Sequence, residues 1–162
     1  MSQLQHSVEQ FLYLKSELCD EQQWDDYIGL FDPQSVFHVP QWDSEHVYTK
    51  DPAREMSLIY YADRAGLEDR VFRLRTGKSA ASTPLPRTMH QISNVRLTEK
   101  ADSKIEAAVN WSTLYTRHGM TDYFYGRANY VLHPSGDSWK IARKHVLLLN
   151  DTINAVLDFY HL

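Results

Sequence analysis

From Thr88 onward the chain alternates with period two, and this pattern limits the fold more than any other feature. Ile105, Ala107, Val109, Trp111, Thr113 and Tyr115 share one face of a long strand, while Glu106, Asn110, Ser112 and Thr116 dominate the other. Gly119 marks a turn, Tyr123 to Leu132 read as the next strand, and Pro134-Ser135-Gly136-Asp137 form another turn. Trp139, Ile141, Arg143, His145, Leu147 and Leu149 alternate in the last strand. With Ile92 to Thr98 added, four strands follow one another through short turns, which requires antiparallel pairing. A sheet of this kind has an apolar face that must be covered.

The first half supplies the cover. Leu4, Val8, Phe11 and Leu18 fall near helical spacing, with Gln5, Glu9, Gln10, Ser16 and Glu17 on the opposite side. Asp20 has the chemistry of an N-cap, with Gln23 three residues later, for a second helix carrying Trp24, Tyr27, Ile28 and Phe31; Asp32-Pro33 stops it. Val36 to Val39 and Ser57 to Tyr61 read as short strands separated by a polar loop from Gln41 to Arg54. Leu67, Val71 and Leu74 predict a third helix, with Asp69 and Arg73 at i,i+4 spacing and Gly77 as its C-cap. Ser79 to Pro86 is small, polar and proline-bearing, and reads as an exposed connection. Helices first and a meander last define an α+β fold, with helices on one face of a long sheet that must twist and curl. The 162 residues suit one domain, 1–162, with one core.

Composition excludes several chemistries. A net charge of −4 gives no positive footprint for nucleic acid. The lone cysteine, Cys19, cannot close an internal disulfide; one thiol also cannot build a Rieske cluster, which needs two Cys and two His, or a Cys-rich zinc site. The N-terminus lacks the basic start and apolar run of a signal peptide, and no apolar run approaches a membrane span, so a cytoplasmic location is expected.

The eight histidines are scattered, and none has the spacing of a helical metal site. No P-loop, dinucleotide fingerprint or Gly-x-Ser-x-Gly elbow is present. For acid–base work the candidates are Asp63, His90, Tyr60 and Tyr61, if strand ends bring them into one aromatic pocket; the alternative is that they hold the helix–sheet junction. Arg64, Arg70, Arg73, Arg75 and Lys78 concentrate charge in one region, as a solvated face or as a contact surface.

The run from Glu55 to Thr76, EMSLIYYADRAGLEDRVFRLRT, continues as Ser79-Ala80-Ala81-Ser82-Thr83-Pro84, Pro86-Arg87-Thr88, His90 and Asn94. Together with the Trp24 helix and the ending Leu157-Asp158-Phe159-Tyr160-His161-Leu162, it resembles the small (beta) subunits of aromatic-ring-hydroxylating dioxygenases, in wording nearest the benzoate and anthranilate branch. The resemblance implies a cone-shaped fold of the nuclear-transport-factor-2-like (cystatin-like) type and a hexamer of three large (alpha) and three small subunits. The small chains could also trimerise by themselves. It further implies that the Rieske [2Fe-2S] cluster and mononuclear Fe(II) sit in the large subunit, with NADH as ultimate electron donor. This chain would carry no cofactor. Tyr60, Arg64, Asp69, Arg70, Arg73 and Arg87 are then the expected organising or interface residues. Two rivals remain: a free-standing dehydratase or isomerase using Asp63 and His90 in the cone, and a self-assembling scaffold.

Overall fold

The computed structural model describes residues 2–162. Its elements run α1 (Gln3–Asp20), α2 (Trp24–Gly29), β1 (Phe31–Pro40), β2 (Ser57–Tyr61), α3 (Ala65–Thr76), β3 (Arg87–Glu99), β4 (Ile105–Arg117), β5 (Met120–Ser135) and β6 (Ser138–Leu148), with short 3-10 turns at Ala80–Ser82, Ala101–Ser103 and Phe159–His161. The meander β3-β4-β5-β6 is antiparallel throughout, as the alternation requires. The N-terminal β1 adds beside β6 in parallel and carries β2 on its outer side, giving the order β2-β1-β6-β5-β4-β3. Helix α1 packs across β3 and reaches β6, so the helices cover one sheet face.

The inward residues of β4 behave as their spacing predicts: Ile105, Ala107, Val109, Trp111, Thr113 and Tyr115 are all buried. Strand β6 does not keep phase. Leu132 pairs with Ile141 but Val131 pairs with Arg143, so Ala142 is an extra residue, and everything beyond it changes face. Lys144, Val146 and Leu148 therefore point into the core, where Arg143, His145 and Leu147 were expected. Gly126 on β5 has a steric role: a Cβ there would lie 1.8 Å from the Leu147 carbonyl oxygen.

Three other expectations change. Asp20 ends α1 rather than capping α2, whose first turn has no side-chain cap. Phe31 and Pro33 belong to β1, not to a helix and its stop; the pairing with β6 is interrupted between Phe31 and Val36, which accommodates a proline that cannot donate to the ladder. The Ser79–Pro86 connection is partly buried at Ser82 and Pro86, because the Ser82 hydroxyl bonds that of Tyr160 and the Arg117 guanidinium binds the carbonyls of Ala80, Ala81 and Thr83. Among the described residues no helix is long and apolar enough to cross a membrane.

Candidate functional site

The space between helices and sheet is filled by side chains. Tyr27, Phe31, Phe37, Tyr130 and Phe159 are fully buried there, Tyr27 meeting Phe31 edge-on at 5.2 Å and stacking on Phe159 at 5.7 Å. Two lysines enter the same core. Lys15 donates to the Tyr130 hydroxyl at 2.9 Å; Lys144 donates to Leu162 O at 3.2 Å, with its ammonium 4.9 Å from the centre of the Phe37 ring. Burial pushes the Lys144 amine well below its ordinary value, helped by the charge of Lys15. The same burial raises the Cys19 thiol to about 12, which makes it an inert core side chain.

His90 does find a carboxylate, and it is Asp20. Asp20 accepts the His90 backbone N–H at 3.0 Å, its ring Nδ1–H and the Thr88 hydroxyl at 2.9 Å. Burial pushes the Asp20 carboxyl up, but these donors outweigh it and hold the group below its ordinary range. Burial likewise lowers His90, so a neutral ring donates from Nδ1. Its Nε2, the Ser16 hydroxyl and the Thr113 hydroxyl are buried without a partner among the described residues. Asp63 lies elsewhere, in the turn that leads into α3, where it accepts from the Ala65 N–H at 2.8 Å.

The arginine-rich helix divides into two groups. Arg64 binds Glu68 at 2.8 Å and the Phe31 carbonyl at 3.0 Å, tying α3 to β1. Arg70 clasps Asp158, which caps the final turn through the Phe159 N–H at 2.9 Å; Arg75 meets Asp25 at 2.9 Å. Asp69 and Arg73, spaced for a helical ion pair, form none, and they point outward. Arg87 is exposed at the start of β3, and Tyr60 half exposes its ring on β2 while meeting His38 edge-on.

Sequence reasoning missed Phe72. It sits on the polar side of α3, off the Leu67-Val71-Leu74 stripe, with 71% of its surface exposed. The sheet face away from the helices also carries an apolar row, since Met89 pairs with Leu114 and Leu114 with Tyr123, with Tyr125 5.8 Å from Tyr123. The signal was available in Phe72, an aromatic off the apolar stripe of an amphipathic helix. No group of three or more His, Cys, Asp or Glu among the described residues is placed to hold a metal ion.

The layered cone of helices on a curled sheet is shared with proteins of known structure. The beta subunit of the benzoate 1,2-dioxygenase from Burkholderia mallei superimposes with a TM-score of 0.80 at 37% identity, covering 96% of this chain and 95% of that one. Naphthalene 1,2-dioxygenase contains a chain of the same fold, with a TM-score of 0.76 at 16% identity over 93% of this chain and 81% of that one. In sequence, the chain is 57% identical over 159 residues to the anthranilate 1,2-dioxygenase small subunit of Acinetobacter baylyi, covering 98% of each. It is 43% identical over 155 residues to that organism's benzoate 1,2-dioxygenase subunit beta, covering 96% of this chain and 92% of the relative. Residues 15–155 match the family model described as ring hydroxylating beta subunit. The chain belongs to that family. It is a small subunit of an aromatic-ring-hydroxylating dioxygenase of the benzoate/anthranilate type, as the sequence motifs implied.

Proposed function

We infer that this chain is the structural scaffold of its dioxygenase: it holds large subunits in register while they perform the chemistry. The observation that carries this reading is its exposed apolar surface. Phe72 beside Arg73, and the Met89-Leu114-Tyr123-Tyr125 face, are large ordered apolar groups in outward positions, as at protein interfaces. Asp69, Arg73, Arg87 and Tyr60 complete this outward set, whereas Arg64 and Arg70 organise the chain internally. The chain acts as one cytoplasmic domain within an assembly of three large and three small subunits.

In that assembly the large subunit carries the Rieske cluster and the mononuclear Fe(II). It adds both atoms of dioxygen to an aromatic carboxylate of the benzoate or anthranilate kind, with electrons that originate in NADH. The core of the small chain, filled by Tyr27, Tyr130, Phe31, Phe37 and Phe159, supports a role in rigidity rather than turnover. Co-expression with the large subunit tests the reading. A Phe72→Ala chain that folds normally but associates at least about tenfold more weakly agrees with it; undiminished association of both Phe72→Ala and Tyr123→Ala chains contradicts it.

A further inference from the structure

A cavity of about 210 Å³ lies between the β4-β5 hairpin, the Ser79–Pro86 connection and residues 154–161. Its walls are mainly apolar, from Pro86, Met120, Ala155 and Val156. His161 also lines it, although only 3% of that residue is exposed. The backbone N–H of Asp158 donates to His161 Nδ1 at 2.9 Å, so Nδ1 is the acceptor and the ring proton resides on Nε2. Nε2–H makes no hydrogen bond among the described residues and belongs to a residue that lines the cavity, so it is the donor His161 has to offer there. The ring is fixed on three sides by Tyr115, Phe124 and Tyr160 at 5.3, 4.8 and 4.5 Å.

The electrostatics favour an acceptor. Arg117 borders the cavity, held in place by the carbonyls of Ala80, Ala81 and Thr83 and by His118, so its positive charge is fixed beside the site. The one carboxylate on the rim, Asp122, already accepts from the Tyr123 N–H and the Asn154 amide. Apolar cavities of about 150 Å³ accommodate benzene. This one has room for a single substituted ring, with one preoriented donor to select its polar group.

We propose that this cavity binds a one-ring aromatic carboxylate, the ring among Pro86, Met120 and Val156 and the carboxylate on His161 Nε2–H beside Arg117. The choice of carboxylate over other acceptors rests on the reading that the chain serves an enzyme of aromatic acids. The site would give the small subunit its own sensitivity to the compounds that its partner processes.

The test is an NMR titration of the full chain with benzoate and, separately, toluene. Benzoate should saturate a single site and shift the His161 and Tyr115 resonances, with toluene about tenfold weaker for lack of the charge-assisted hydrogen bond. His161→Phe should weaken benzoate about tenfold, and Ala155→Phe should abolish binding by filling the cavity while the thermal midpoint stays unchanged. Scattered, non-saturating shifts, equal affinity for toluene, or benzoate binding that survives Ala155→Phe would each overturn the assignment. If the chain still assembles with its large subunit after such a result, the cavity assignment alone falls. If benzoate binds but no large subunit ever associates, the scaffold reading falls and the cavity stands.

Discussion

Asp20, in the last turn of α1, accepts both the backbone N–H and the ring Nδ1–H of His90 on β3, an edge strand of the sheet. One carboxylate thereby fixes the helix to a strand edge and satisfies a backbone donor that has no neighbouring strand. Gln5 does the same at the other end of α1, its amide donating to the Val95 carbonyl at 2.9 Å.

Removing that carboxylate should be costly. Asp20→Ala leaves two N–H donors and the Thr88 hydroxyl without their acceptor, and should lower stability by about 2 kcal/mol. Asp20→Asn, which keeps one acceptor oxygen, should recover part of the loss. Urea unfolding of the three chains measures it, and an Asp20→Ala midpoint equal to that of the parent would refute this role.

Acid should destabilise the fold well above the carboxylate range. Burial lowers His161 and His145 from 6.5 to about 4. Their unfolded forms take up protons first, so the contribution of each is complete above pH 6.5 and is lost progressively as pH falls toward 4. Burial moves His90 and His38 in the same direction. Thermal melts from pH 7.5 to 5 should show a falling midpoint, and a flat profile over that window would contradict the buried, neutral assignment.

Arg70 is a clamp on the chain's end. Asp158 is nearly buried and faces the Arg70 guanidinium while capping the Phe159–His161 turn. Arg70→Ala should lower stability by about 2 kcal/mol, with faster amide exchange concentrated at residues 158–162. Weaker assembly would follow from that loosening. Uniform exchange throughout the chain, or none, would remove the clamp.

Gly126 should tolerate no side chain. An added Cβ meets backbone, which has no room to yield within a paired strand, so Gly126→Ala should lose about 3 kcal/mol or fail to fold. A parent-like melting midpoint would show that β5 and β6 can separate locally.

How much of this was legible depended on whether information was local. The alternation in β4 could be read residue by residue because a regular strand preserves phase, and the four-strand meander followed from its turns. The bulge at Ala142 carries no comparable signal, and a one-residue slip was enough to bury Lys144 where His145 was expected. The Asp20–His90 pair joins residues seventy positions apart, and local pattern made Asp20 a plausible cap instead. The parallel insertion of β1 beside β6 is equally non-local. Phe72 differs, because its displacement from the α3 stripe was visible in the sequence and signalled a surface seeking a partner.

The central claim is that this chain supports chemistry performed by a larger partner. Its most direct test is to recover the tagged chain from its native host grown on an aromatic acid, then record the absorption spectrum and identify what is bound. A larger, brown partner with the spectrum of a Rieske cluster is expected, retained in fixed proportion to the small chain. A colourless chain recovered alone, while the host is degrading the acid, would contradict it.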